Sequence, residues 1–257
     1  MPLRETEAIV LRTYRLGEAD KIVSLFGRQL GRIRAAATGA QRPKSRYGGT
    51  LEPLSYVRLL LYERENRDLL RLNSAELLES FFLMQGEPRI QLAAQYLAET
   101  AERFLPEREI NERAFRLWLA VLRAMKQSRE IDRPLVYFNY WLLRLGGFLP
   151  GLTQCAGCGR ALAEEAAYYG RDPQGIFCRD CRPGGTRGAE RSVSPAALAL
   201  LESARRSALA GWMPLAEPAS AALRDARRLL ETWVAACAEG NLVTLALLAD
   251  EAGSESV

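Results

Sequence analysis

Four cysteines constrain this chain more than any other feature. Cys155 and Cys158 form one C-x-x-C pair, Cys178 and Cys181 form a second, and 19 residues separate the pairs. Each pair turns tightly enough for two thiolates to reach one ion, and two such knuckles side by side complete a tetrahedron of sulfurs, the donor set of zinc. The segment 151–187 is therefore expected to fold as a small metal-binding insertion. A disulfide pairing would need an oxidising compartment, and a thioredoxin-like redox site would need a single C-x-x-C in a βαβ setting; nothing in the sequence suggests either. An iron–sulfur cluster is the alternative, although this spacing is commoner for zinc. Four protein sulfurs leave no coordination position open to water, so one such zinc ion would be structural and not catalytic. The fifth cysteine, Cys237, stands on an apolar helix face and reads as a small core residue.

The hydrophobic period changes near residue 80. Before it, β-forming runs at 6–16, 20–27, 30–40, 51–63 and 68–80 are separated by turn residues, with the last expected to pass into a helix. Five short strands suit a small Greek-key barrel of the OB type, and an SH3-like barrel fits almost as well on strand count alone. After it, apolar residues recur at helical spacing: Ile90, Ala94, Leu97, Ala101 and Phe104, then Phe115, Trp118, Leu122 and Met125, then Leu135, Phe138, Leu142 and Leu145. Gly146-Gly147 marks the end of the third helix. Ser194 with Pro195 reads as an N-cap and first turn, and a further helix runs towards Gly240. The polar tail from Asp250 is expected to fray. The expected architecture is α+β and multidomain: an N-terminal OB-fold β-barrel over 1–80 and an α-helical body over 81–257, with the four-cysteine zinc element inserted at 151–187.

Charge is distributed unevenly. Residues 1–72 carry 14 Lys or Arg against eight Asp or Glu, whereas the remainder carries 21 against 23. The segment "GRQLGRIRAAATGAQRPKSRYGG" (27–49) holds Arg28, Arg32, Arg34, Arg42, Lys44 and Arg46 and no acidic residue. Clustering on the third strand and the following loop of a small barrel makes these six residues candidates for phosphate contacts, with Tyr47 in the loop as a candidate base-stacking platform. Tyr14 and Tyr56 lie on strands, where core packing competes with stacking. Only Lys21, Lys44 and Lys126 are lysine; the arginine bias suits bidentate phosphate recognition and equally follows from a GC-rich genome. Histidine is absent, which removes the commonest general base, every histidine-activated nucleophile and all imidazole ligands. There is no phosphate-binding glycine motif and no carboxylate cluster suited to catalysis; the acidic pairs Glu63/Glu65 and Glu164/Glu165 read as solvated surface. No apolar run reaches the roughly 20 residues of a membrane span, and "MPLRETEAIV" has no apolar signal region, so a cytoplasmic, non-membrane location is expected.

The run "EAIVLRTYRLGEADKIVSLFGRQLGRIRAAATGAQRPKSRYGGTLEP" (7–53) resembles the RecO family of bacterial recombination mediators, as do "ELLESF" (76–81), "LLRLGGFLP" (142–150) and "CAGCG" (155–159). The residues around "GNLVTLALL" (240–248) lack the basic character expected there, and Gln174 stands where a glycine often precedes the second knuckle. The resemblance implies a non-enzymatic, nucleoid-associated protein that binds single- and double-stranded DNA and anneals complementary strands. It implies RecR, and in many bacteria RecF, as partners in loading RecA on strands coated by single-strand-binding protein. Two other classes are weighed against it: an OB-fold plus zinc-ribbon protein that binds RNA or associates with transcription, and an enzyme acting on nucleic-acid ends.

Overall fold

In a computed structural model the described residues are 2–63, 69–81, 86–182, 191–218, 220–238 and 240–254, with side chains up to 248. Residues 183–187 of the expected metal insertion, and Glu65, lie outside them. The chain divides into two compact units, residues 1–122 with 242–257, and residues 123–241.

The first unit is built on five strands: β1 (Leu3–Leu16), β2 (Asp20–Gly27), β3 (Gly31–Ala37), β4 (Ser55–Tyr62) and β5 (Leu69–Ser80). They close into a barrel in the order β1-β2-β3-β5-β4, with β1 also pairing β4. All pairs are antiparallel except β3 with β5. Alternation decides the two faces. On β3, Ile33, Ala35 and Ala37 enter the core while Arg32 and Arg34 point outward. The core adds Ala8, Val10, Val23, Leu25, Val57, Leu59, Leu61, Leu70 and Leu72. β5 stays extended to Ser80 and does not pass into a helix: cross-strand pairing from Tyr62↔Arg71 to Ser55↔Ser80 overrides the helical preference of "SAELLES".

β1 carries an irregularity between Val10 and Arg12. A strict period of two would send Ala8, Val10, Arg12 and Tyr14 to one side. The extra residue at Leu11 switches the parity, so Ala8 and Val10 face the core while Arg12, opposite Ser24, and Tyr14, opposite Ile22, face outward.

The helices of this unit are α1 (Pro88–Phe104), α2 (Glu112–Ser128), whose last residues pass the cut between the units, and α7 (Val243–Ser254). Part of the outer barrel face is apolar and packs on them: Phe26 meets Phe115 at 5.5 Å and Trp118 at 5.7 Å between ring centroids, edge to face. The indole N–H of Trp118 donates to Leu97 O at 2.7 Å. Rather than fraying from Asp250, the chain stays helical to Ser254.

The second unit holds α3 (Asp132–Leu145), the short strands β6 (Ala167–Tyr169), β7 (Ile176–Phe177) and β8 (Arg191–Val193), α4 (Pro195–Arg206), α5 (Leu209–Trp212) and α6 (Ala221–Cys237). Leu135, Phe138, Leu201, Trp212, Leu229, Leu230 and Trp233 are buried within it. The end of α3 forms a Schellman motif, with Gly147 at φ +75°, its N–H on Arg144 O and the Phe148 N–H on Leu143 O. Ser194 caps α4 by accepting from the Ala197 N–H at 3.3 Å. No helix among the described residues is long and apolar enough to cross a membrane.

One buried carboxylate ties the sequence-distant parts of the first unit. Glu99 of α1 accepts from the amides of Val243 at 3.2 Å and Thr244 at 3.0 Å and from the Thr244 hydroxyl, so it caps α7 from outside its own helix. Burial opposes its ionisation, but these hydrogen bonds, with Arg12 nearby, hold its carboxyl below the ordinary value of 4.5. The stabilisation is therefore complete above the unfolded carboxyl range and is lost as pH falls through the lower folded value. Glu99→Ala is expected to cost about 1–2 kcal/mol at neutral pH. Thermal melts should show that deficit narrowing towards acid, where the wild-type carboxylate is itself protonated.

Candidate nucleic-acid interface and metal centre

The segment between β3 and β4 folds back across one end of the barrel. Its base is held by the Gly39 N–H on Asp20 Oδ1 at 2.8 Å and the Gln41 side chain on Asp20 O at 2.6 Å. Its return is tied to β1, where the Leu54 N–H donates to Val10 O at 2.7 Å. Tyr47 is 2% exposed and belongs to the barrel core with Leu51. Its hydroxyl donates to Leu72 O at 3.1 Å, and the Arg46 guanidinium donates to that hydroxyl at 2.8 Å while lying 4.9 Å from the ring centroid. This corrects the expectation of a stacking platform: Tyr47 plugs the barrel end, and the ring has no open face for a base. Arg42, Lys44 and Arg46 remain exposed on the outside of the loop, with no carboxylate paired to them among the described residues.

The other three cations of the basic stretch are placed differently. Arg28 bridges Glu7 at 3.1 Å and Glu112 at 2.6 Å. Arg32 donates through Nε to Leu105 O, at the C-terminal end of α1, at 2.9 Å and pairs with Glu107 at 3.2 Å. Arg34 lies 3.9 Å from the same Glu107 carboxylate. The stretch has no acidic residue of its own, but the fold supplies three from elsewhere. The Glu112 and Glu7 hydrogen bonds raise Arg28 further above its ordinary value.

A groove of about 800 Å³ opens between the outer face of β1–β3 and helices α1 and α7. Arg12, Arg32, Arg34 and Arg103 line it with three carboxylates, Glu99, Glu102 and Glu107, and with Tyr14, Ser24 and the exposed Val243 and Leu247. Tyr14 is 47% exposed and offers the open aromatic face that Tyr47 does not. Arg12 is held by Glu102 at 2.9 Å. The sequence pattern singles out neither Arg12 nor Arg103; only the parity switch at Leu11 and the packing of α1 bring them to this face. Four arginines beside an exposed tyrosine are the parts needed to track a sugar–phosphate backbone and stack a base, although three of the arginines are already paired with Glu102 or Glu107.

In the second unit the two C-x-x-C knuckles come together. The four sulfurs of Cys155, Cys158, Cys178 and Cys181 lie within 4.8 Å of one another, with Cys158 and Cys178 at 3.9 Å. Tetrahedral zinc with Zn–S bonds of about 2.3 Å needs sulfurs about 3.8 Å apart, so the donor set fits that ion. Close packing shapes the site. A Cβ on Gly157 would stand 2.9 Å from Cys181 Cβ, and Gly175, at φ +135°, would place one 2.6 Å from Ala156 Cβ. Burial resists ionisation of Cys155, but the amides of Cys178, Cys158 and Gly157 aimed at its sulfur bring its thiol down to about 6. The Cys181 S–H donates to the Cys178 and Cys158 sulfurs, and this, with burial after it, pushes its thiol up to about 12. Arg160 approaches Cys178 Sγ at 3.7 Å and pairs with Asp180 at 2.7 Å, setting a positive charge beside the thiolates.

Three substitutions test these placements. Tyr47→Phe should cost about 1 kcal/mol, and Tyr47→Ala about 3–5 kcal/mol because it empties the barrel end; both are read by denaturant unfolding. Cys178→Ser should abolish stoichiometric uptake of added zinc, measured with a chromophoric chelator. Wild-type affinity should fall on acidification, because the sulfurs bind as thiolates.

Comparison with known proteins agrees with this architecture. A family model described as recombination protein O N terminal matches residues 1–81, and one described as recombination protein O C terminal matches residues 87–245. A DNA repair protein RecO from Nocardioides sp. is 37% identical over 251 residues, covering 95% of this chain and 98% of that protein. One from Koribacter versatilis is 42% identical over 167 residues, covering 65% and 68%, and one from an Anaeromyxobacter species is 31% identical over 226 residues, covering 88% of each. A barrel, a helical body and a four-cysteine cluster in one chain, matched along nearly its whole length, place the chain in the RecO family.

Proposed function

We propose that this chain is a DNA-binding mediator of recombinational repair, which holds single strands on its barrel and anneals complementary ones. The observation that carries the reading is the pair of cationic features on the barrel. One is the exposed loop with Arg42, Lys44 and Arg46, and the other is the groove that sets Arg12, Arg32, Arg34 and Arg103 beside the exposed Tyr14. Contacts of this kind go to phosphates and base faces, so binding is sequence-tolerant and salt-dependent. The barrel over 1–80 is the DNA-binding domain in this reading, with Arg28 a positioning residue whose charge is already taken by Glu7 and Glu112. Single zinc occupancy of the four cysteines stabilises the second unit and supplies no chemistry. The protein partners are those the family resemblance implies: RecR and single-strand-binding protein, with RecF and RecA further along the pathway. The chain acts by binding and not by turnover.

Purified protein should anneal complementary strands covered by their cognate single-strand-binding protein; failure to anneal bare or covered strands would refute the mediator reading. Replacing Arg42, Lys44 and Arg46 together by Ala should weaken single-strand binding and lower the slope of log affinity against log salt by about 2, at about 0.7 per lost phosphate contact. Affinity unaltered in that variant would remove the loop from the interface. Competition between DNA and RNA of equal length tests the RNA-binding alternative, which a clear preference for RNA would favour.

A further inference from the structure

The groove on the barrel carries its own anions. Glu102 holds Arg12 at 2.9 Å, and a single carboxylate, Glu107, faces two guanidinium groups, Arg32 at 3.2 Å and Arg34 at 3.9 Å. The backbone around Glu107 is anchored. It forms a one-residue parallel bridge with Arg32, and the next amide, Arg108 N–H, donates to Arg32 O at 2.9 Å. Gly31 lies so close that a Cβ there would stand 2.2 Å from Glu109 O. The carboxylate itself is different: the Glu107 side chain is 46% exposed and can swing into water without breaking any of these backbone contacts.

We propose that Glu107 is an internal competitor for phosphate, a specificity-determining residue that sets how many adjacent charges a ligand must bring to occupy the groove. The inference rests on the strand-binding reading above. A lone phosphate entering beside Arg32 exchanges one anion for another and gains little, since exposed pairs of this kind are weak. A strand brings phosphates in series. Two of them can each take one arginine, whereas the one carboxylate must serve both and leaves Arg34 loosely held. The arrangement selects polyanionic strands over mononucleotides and free phosphate, and it keeps the arginines ordered when no strand is bound.

The test uses the full chain, fluorescence anisotropy with a labelled oligothymidylate across a salt series, and inorganic phosphate as competitor. Glu107→Gln should bind the oligonucleotide about threefold tighter, within the range of an exposed ion pair, with a steeper salt slope and readier displacement by phosphate. Arg34→Ala should bind more weakly, and in the double variant the gain from Glu107→Gln should shrink. If Arg34→Ala weakens binding while Glu107→Gln leaves it unaltered or weaker, the groove takes the strand but Glu107 is only a structural partner, and the proposal falls. If Arg34→Ala costs nothing, the strand-binding reading of the groove itself fails. Should Glu107→Gln lower the melting temperature too far for comparison, Glu107→Ala, which removes the same carboxylate and leaves the backbone bridge to Arg32 in place, gives the same readout.

Discussion

The extra residue at Leu11 governs what the barrel can present. A closed five-stranded barrel needs β1 to pair on both edges, and a strict alternation along it would have put Arg12 and Tyr14 where Ala8 and Val10 are. Two polar side chains, one of them charged and unpartnered there, would not survive in a core made of valine, leucine and alanine. The offset sends them outward instead, opposite Ser24 and Ile22. It also divides the outer surface. Next to Ile9, the face around Phe26 and Tyr56 is apolar and covered by Phe115 and Trp118; beyond Leu11 it becomes the charged groove. The packed face and the groove thus share two strands and are separated by one residue.

The arginines of the basic stretch illustrate how a local charge count misleads. Arg28, Arg32 and Arg34 look unpaired because the segment around them has no acid, yet Glu7, Glu107 and Glu112 reach them from both sides along the chain. Arg32 also serves the Leu105 carbonyl at the C-terminal end of α1, a structural task that no pattern of charges announces. Arg42, Lys44 and Arg46 differ because the loop that carries them is folded over a barrel end, away from those carboxylates. What separates the two sets is tertiary geometry, not composition.

Much of the architecture is legible in the sequence, for identifiable reasons. The cysteine spacing announces the four-sulfur cluster because knuckle geometry is local. Ser194-Pro195 and Gly146-Gly147 mark a cap and a stop because those residues act on their own backbone. Tyr47 misleads because a loop residue flanked by Arg46 and Gly48 carries no sign that its ring fills a barrel end. "SAELLES" misleads because its partner strand, and not its own preference, decides its conformation. The cap of α7 by Glu99 depends on a contact more than 140 residues apart in sequence.

That last contact bears on the order in which the molecule is made. The first compact unit consists of residues 1–122 and 242–257, so its closing helix is translated after the whole of the second unit. A nascent chain can form the barrel and α1 early, but Glu99 and the apolar surface beneath α7 then wait, uncovered, while about 120 further residues emerge at roughly 5–20 per second. During that interval, on the order of ten seconds, the groove lacks one wall. The groove is therefore completed only when synthesis has passed the four-cysteine unit, and a chain that stops earlier is left as a barrel without its finished groove.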